Sequence, residues 1–362
     1  MTNVKRVPLL ILGAGNVGRS LVRQLLEAAP LHARRDGLAF FVVAWCDSGG
    51  AVLDETGLEP ETLRAIAAAK AAGRSFTEHP QGYRQSDLAA VVDVAGTDHC
   101  VVVDVTAGDA AVPAIDLALR RGYSAVTANK APLTGDQDRF DRWVTTRRFR
   151  YESTVGSAVP VIETACALMR AADRVDVVRG ALSGTLGFLC TGIETGELFS
   201  SLVQEAMRRG YTEPDPRLDL SGQDVARKAL ILARTLDWKL ELSAVAVSSL
   251  VPPALVDLPR QDFLARLPEL DAGFAVRAAD AANTGCVLRY IAELRDGRVT
   301  VGLHLVPVDS ALGRLRGNDN LVAFHTRYYP DEPLVLQGRG AGVDAAAAGV
   351  HADLVAVANL GS

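Results

Sequence analysis

The stretch VPLLILGAGNVGRSLVRQLLEAAP, residues 7–30, decides the fold. Val7 to Leu12 is a continuous apolar run, as in strands buried on both faces of a parallel sheet. Gly13-Ala14-Gly15-Asn16-Val17-Gly18 then fits GxGxxG, and Leu21, Leu25 and Leu26 follow at helical spacing. A glycine turn between a buried strand and a helix lets backbone amides approach a pyrophosphate at the helix N-terminus. Gly13, Gly15, Asn16, Val17 and Gly18 are therefore candidate dinucleotide contacts.

The same rhythm continues outward. Leu38 to Trp45 reads as a second strand, reached through LHARRDGLAF, which lengthens the helix–strand connection. Asp47 follows, where a nucleotide-binding sheet places the acid that meets the adenosine ribose. An acid there favours the 2′-hydroxyl of NAD over the 2′-phosphate of NADP. No Arg or Lys follows at once, although Arg34, Arg35 or Arg74 could fold back. Val101–Val105 and Ser124–Thr127 are further strands, each followed by a turn. Ligands bind such sheets at the carboxyl ends of the strands, so Thr106 and Lys130 face the cofactor. The expected class is α/β: a Rossmann-like doubly wound parallel sheet plus an α+β domain for substrate and dimerisation.

Composition excludes several functions. The 362 residues allow about two domains. A net charge of −5 provides no electrostatic footprint for nucleic acid, and no apolar run is long enough to span a bilayer. Five scattered cysteines without CxxC spacing favour reduced thiols, and the six histidines form no ligand-spaced pair. The expected location is cytoplasmic. LRYIAELRDGRVTVGLHLVPV predicts a β-hairpin around Asp296-Gly297.

A second decisive stretch is GYTEPDPRLDLSGQDVARK, residues 210–228. It gathers Glu213, Asp215, Asp219 and Asp224 in and after a Pro/Gly-punctuated loop. Asp224 and Lys228 share a helical face at i and i+4, an arrangement suited to a small zwitterion and a proton donor. This stretch resembles the signature of homoserine dehydrogenases. Asn129-Lys130, Ser183-Gly184-Thr185 and the glycines at 338, 340 and 342 match further motifs of that family. Lys130 is followed by Ala131, where the family often has a second lysine, and Ser183 stands where Asn is commoner.

The resemblance implies reversible, NAD(P)-dependent reduction of L-aspartate 4-semialdehyde to L-homoserine, in threonine, methionine and isoleucine biosynthesis. NAD or NADP is the cofactor, with NAD favoured through Asp47. Lys228 would be the proton donor, oriented by Asp224, and Lys130 the second cation; which lysine donates is open. Glu213 would hold the substrate ammonium beside Asp219, with Gly184 and Thr185 as further substrate contacts and Gly340 near the cofactor. Main-chain oxygens of Glu152, Val155, Ser157 and Val159 would hold a monovalent cation (Na+ or K+). The implied domains are 1–150 for dinucleotide, 151–335 for substrate and dimerisation, and 336–362 returning to the first, in a homodimer with no nucleic-acid or membrane partner. Neither a preceding kinase nor a following regulatory extension is expected. Two rivals are an oxidoreductase that reductively aminates a keto acid and a non-catalytic nucleotide sensor.

Overall fold

The computed structural model describes residues 4–360, which form two compact units. One comprises residues 4–158 with 342–360, the other Val159–Ala341. These junctions lie later than the 150 and 335 read from the sequence, for two reasons. The turn after residue 150 packs on the C-terminal helix Val343–Ala358: the Glu152 amide donates to Asp353 at 2.8 Å and Ser153 Oγ to the Ala346 carbonyl at 2.9 Å. Leu334–Gly338, in turn, pairs as a strand of the second unit.

In the first unit, seven strands line up as β4-β3-β2-β1-β5-β6-β7. They are β1 (Lys5–Leu12), β2 (Leu38–Cys46), β3 (Ala51–Leu53), β4 (Gly82–Tyr83), β5 (Val101–Asp104), β6 (Ser124–Thr127) and β7 (Phe149–Arg150). Neighbours from β2 to β7 run parallel, while β3 and β4 extend the edge in antiparallel pairs. The chain leaves β1 for β2 on one side and returns to β5 on the other. A ligand crevice opens where the strand order reverses in this way. Val7 and Leu9–Leu12 are almost wholly buried, as the continuous apolar run requires.

The first helix, α1 (Asn16–Arg35), is longer than the sequence suggested: residues 31–35 extend the helix rather than the connection, and Pro30 lies within it. A proline there removes one backbone hydrogen bond, but Pro30 is exposed and the next turn is anchored by buried His32. Leu21, Val22 and Leu25 of α1 share one core with Val350, Leu354 and Val357 of the C-terminal helix.

The six-stranded sheet of the second unit has the order β13-β12-β8-β10-β11-β9. Its strands are β8 (Val175–Ala181), β9 (Ala246–Val247), β10 (Cys286–Arg295), β11 (Arg298–Pro307), β12 (Asn320–Thr326) and β13 (Leu334–Gly338). β10 and β11 form the expected hairpin, with Asp296 and Gly297 both at positive φ (51° and 74°). That pair of left-handed residues matches the strand twist, which is why Asp-Gly suits this turn. Helix Gln223–Thr235 buries Ala226, Leu230 and Ala233, the face expected from its spacing. Among the described residues, no helix is long and apolar enough to cross a membrane.

Sequence spacing missed one contact. His32 Nδ1 lies 2.7 Å from Asp36, and its Nε2 lies 2.7 Å from Nε2 of His351, 319 residues away. A carboxylate only accepts, so His32 Nδ1 carries a proton, and the two Nε2 atoms share one hydrogen bond. Burial, then the neighbouring His32, pushes His351 down to about 4. Arg35 and His32 hold Asp36 near 2, outside that range. An unfolded histidine titrates near ~6.5, so between ~6.5 and about 4 the unfolded chain binds the extra proton. Stability should therefore fall as pH drops through this window. Thermal unfolding from pH 7 to 4 should show a steeper loss for the parent than for His351→Gln; parallel curves would refute the assignment.

Candidate functional site

In the first unit, β1 ends against its neighbours. The Gly13 amide donates to the Cys46 carbonyl at 2.8 Å, and Trp45 Nε1 donates to the Gly13 carbonyl at 3.1 Å. Gly13 has φ +114°, and a Cβ there would sit 2.7 Å from the Val105 oxygen. A Cβ on Gly18 would lie 2.3 Å from the Gly13 oxygen, so this glycine permits close helix–strand packing. Gly15 differs, since a Cβ there would meet nothing within 4 Å. It caps α1 without a side chain, so protein packing leaves clear the face where a phosphate would approach the first-turn amides. Asn16 Oδ1 accepts from Arg19, and Val17 packs on the core.

Asp47 lies just beyond β2. Its Oδ1 accepts from the amides of Gly49 (2.9 Å) and Gly50 (3.2 Å), closing a tight turn. Its Oδ2 is 2.6 Å from Lys70 Nζ, at the end of α2 (Pro60–Ala71). Lys70 is thus a cation beside Asp47 that the sequence reading missed. It stands 23 positions on, and only the path of the chain brings it back.

At the carboxyl ends of β5 and β6, Thr106 and Lys130 flank a buried acid, Asp104. Its Oδ1 accepts from the Thr106 amide (3.0 Å) and Oγ1 (2.7 Å), and its Oδ2 from Thr127 Oγ1 (3.0 Å) and Asn129 Nδ2 (3.3 Å). Burial pushes the Asp104 carboxyl up, while these hydrogen bonds oppose the shift. Sequence reasoning passed over Asp104 as the end of an apolar strand. An acid closing Val101-Val102-Val103 was the available signal. Lys130 follows β6 and caps the helix Ala131–Thr134 with its carbonyl, which accepts from the Leu133 amide at 3.1 Å.

Within the second unit, β8 runs into the helix Gly184–Glu194, capped by Ser183 Oγ, which accepts from the Leu186 amide. A Cβ on Gly184 would lie 2.9 Å from the Asn318 oxygen. Thr185 Oγ1 donates to the Tyr211 carbonyl and lies 3.4 Å from Asp219 Oδ1. Asp219 Oδ2 accepts the Glu213 amide at 2.8 Å, and burial pushes this carboxyl up. Glu213 itself is exposed. Asp215 has a structural task instead: it holds Arg217 in a paired contact, and Arg217 reaches the carbonyls of Val256 and Leu258.

Gly222 starts the next helix at φ +74°, and a Cβ there would meet Tyr290 Oη at 1.9 Å. One turn later, Lys228 Nζ lies 3.1 Å from Asp224 Oδ2 and donates to the Leu182 carbonyl at 2.7 Å. The second unit therefore gathers Thr185, Glu213 and Asp219 in one network and Lys228, Asp224 and Leu182 in another. Gly340 belongs to this unit, where a Cβ would collide with the Asn320 side chain. Close packing on Asn320 requires a glycine there. Glu152, Val155 and Ser157 line a short turn of the first unit, and Val159 opens the second. Among the described residues, no group of three His, Cys, Asp or Glu side chains could hold a metal ion.

Residues 13–148 match the model described as homoserine dehydrogenase, NAD binding domain, and residues 160–355 match that of homoserine dehydrogenase. A homoserine dehydrogenase of Emericella nidulans is 34% identical, covering 96% of this chain and 97% of that protein. A bifunctional aspartokinase/homoserine dehydrogenase of Haemophilus influenzae is 35% identical over 98% of this chain and 43% of its own length. The chain thus spans well under half of the bifunctional relatives it matches, 38% of one from Zea mays. A crystal structure of a putative homoserine dehydrogenase from Archaeoglobus fulgidus superposes with a TM-score of 0.77 at 26% identity, covering 97% of this chain and 99% of that one. With family models over both units and a relative matched along nearly its whole length, the chain belongs to the homoserine dehydrogenases, a family of NAD(P)-dependent oxidoreductases.

Proposed function

We propose that this chain interconverts L-aspartate 4-semialdehyde and L-homoserine with NAD or NADP, a step toward threonine, methionine and isoleucine. The observation that supports this best is the setting of Lys228. An ammonium has three N–H bonds; Leu182 and Asp224 occupy two, leaving one for a substrate oxygen. Bound at the glycine loop, Asp47 and Thr106, the nicotinamide cofactor supplies and recovers the hydride. Lys228 donates a proton to the nascent alkoxide and takes it back from homoserine in the reverse direction. Asp224 holds the lysine on that line. Lys130 remains the second catalytic candidate, and Gly340 a cofactor contact. Glu213 binds the substrate ammonium, while Asp219 fixes the Glu213 backbone beside Thr185, a further substrate contact. Gly184 lets the backbone approach substrate.

The reading extends to a monovalent cation on the carbonyls of Glu152, Val155, Ser157 and Val159. Ser157 adopts φ +56°, a conformation that costs a non-glycine residue on the order of 1 kcal/mol and that coordination would offset. It also includes a cytoplasmic homodimer paired through the second unit. Equal rates in sodium, potassium and tetramethylammonium salts would remove the cation. A monomer in sedimentation equilibrium would remove the dimer, and exclusion from the soluble cytoplasmic fraction the location.

Oxidation of NADH and NADPH at 340 nm with aspartate semialdehyde tests the reaction; cofactor binding without turnover would defeat it. Lys228→Ala should lower kcat ~10²-fold or more, the scale of a positioned acid–base group. An unchanged kcat would transfer the role to Lys130. Glu213→Gln should mainly raise KM, because ammonium binding is alike in ground and transition states; a loss confined to kcat would contradict this.

The Asp47–Lys70 pair sets opposite charges at the ribose, so the two cofactors should compete closely, with NAD ahead. Asp47→Asn should shift the Kd ratio toward NADP by roughly tenfold, and Lys70→Met should shift it toward NAD by a similar factor, the scale of one charge-assisted hydrogen bond. Ratios unmoved in both variants would place the ribose elsewhere.

A further inference from the structure

Asp104 ends β5 with no exposed surface, and no cation is among its hydrogen-bond partners. Its four donors fix more than its own position. The Thr106 amide can only donate, so the Oδ1 it meets acts as an acceptor. The Thr106 hydroxyl, 2.7 Å from the same oxygen, must spend its proton there. Thr127 Oγ1 already accepts the Asn129 amide at 2.9 Å, so its own proton goes to Oδ2. The Asn129 side chain is also committed: Nδ2 donates to the Gly108 carbonyl at 2.6 Å, and Oδ1 accepts the Ala131 amide at 3.1 Å.

The consequence appears at Thr106. With its proton turned inward, Oγ1 offers only lone pairs, and among the described residues they meet only a long contact from Asn129 Nδ2 at 3.4 Å. A ligand reaching this hydroxyl is therefore recognised by an N–H or O–H that it donates.

The topology indicates which part of a dinucleotide that is. Asp47 takes the adenosine end beyond β2, and the crevice continues across β1 to β5 and β6. That leaves the pyridine ring for the end where Thr106 stands. Its carboxamide carries two N–H donors.

We infer that Asp104 is a positioning residue that holds Thr106 Oγ1 as an acceptor and so makes this end of the site selective for the carboxamide N–H of the nicotinamide. This rests on reading the first unit as the dinucleotide site.

The test is calorimetric binding of three probes: NAD, its 3-acetylpyridine analogue and ADP-ribose. The analogue replaces the amide by a methyl ketone and has no N–H; ADP-ribose lacks the ring altogether. The parent should prefer NAD over the analogue by roughly tenfold, the value of one good hydrogen bond. Asp104→Asn places an amide where obligate donors converge, so the hydroxyl is no longer held. The preference should collapse to about twofold or less while ADP-ribose binds as before. Thr106→Val, which keeps Asp104 and its other partners, should collapse it equally.

A parent that binds NAD and ADP-ribose but does not discriminate against the analogue overturns the proposal alone. The same holds if both variants retain the preference, or if Thr106→Val retains it while Asp104→Asn weakens all three probes together, which is a structural effect. A parent that binds neither NAD nor ADP-ribose overturns the dinucleotide reading itself.

Discussion

The first unit is organised around a steric fact at Gly13. Three strands end within van der Waals reach there, and the space a Cβ would need is taken by the Val105 carbonyl. The Gly13 amide is bonded to β2 through Cys46, and the Val105 amide to β1 through Leu12. These contacts fix where the glycine turn leaves the sheet and therefore where α1 begins. They also fix Thr106, the next residue after Val105. The placement of the glycine turn and that of Thr106 are thus two consequences of one close approach. Adding a methyl group at residue 13 would move both. Gly15, two residues on, has open space where its side chain would be, so the motif's three glycines serve three different physical needs.

The second unit solves a different problem, holding a cation where it is little exposed. The Lys228 side chain retains 12% of its accessible surface, against 47% for Asp224. An ammonium at that depth needs partners, because burying an unpaired charge is costly. One partner is the carboxylate a turn earlier. The other is the Leu182 carbonyl, in the link between β8 and the following helix. The lysine is therefore located by two segments far apart in sequence, and its remaining hydrogen is confined to one direction. Gly222 contributes at the other end of the same helix, where Tyr290 fills the space of its missing side chain and donates to the Ser248 carbonyl at 3.0 Å.

Most of the first unit was legible in the sequence because its strands are buried on both faces. Val7–Leu12 and Ser124–Thr127 are unbroken apolar or small-residue runs that no competing period obscures. The Asp296-Gly297 hairpin was legible for a local reason, the left-handed backbone both positions adopt. What escaped was non-local. Lys70 reaches Asp47 from the far end of another helix, and His351 reaches His32 across nearly the whole chain. Neither pairing leaves a trace in spacing. Asp104 escaped for a subtler reason: one acid ending an apolar strand resembles the start of a turn, and only its four donors reveal a buried carboxylate. Asp215 misled in the opposite direction, since its place in an acidic cluster concealed a task of bracing Arg217.

The first unit contains a device that motif reading alone does not expose. Buried Asp104 accepts both the amide and the hydroxyl of Thr106. Half-buried Asp219 in the second unit holds only the amide of Glu213, because the Thr185 hydroxyl donates to the Tyr211 carbonyl. Burial raises both carboxyl groups, and their hydrogen-bond donors oppose the shift. The arrangement at Asp104 is stiff because the acid cannot rotate away without abandoning several bonds at once. It also transmits polarity, because a hydroxyl that donates inward can only accept outward. Threonine suits the role better than serine, since its branched Cβ restricts χ1 and keeps the hydroxyl on its acid. Asp104 thus sets the hydrogen-bonding sense of Thr106 while presenting no surface of its own.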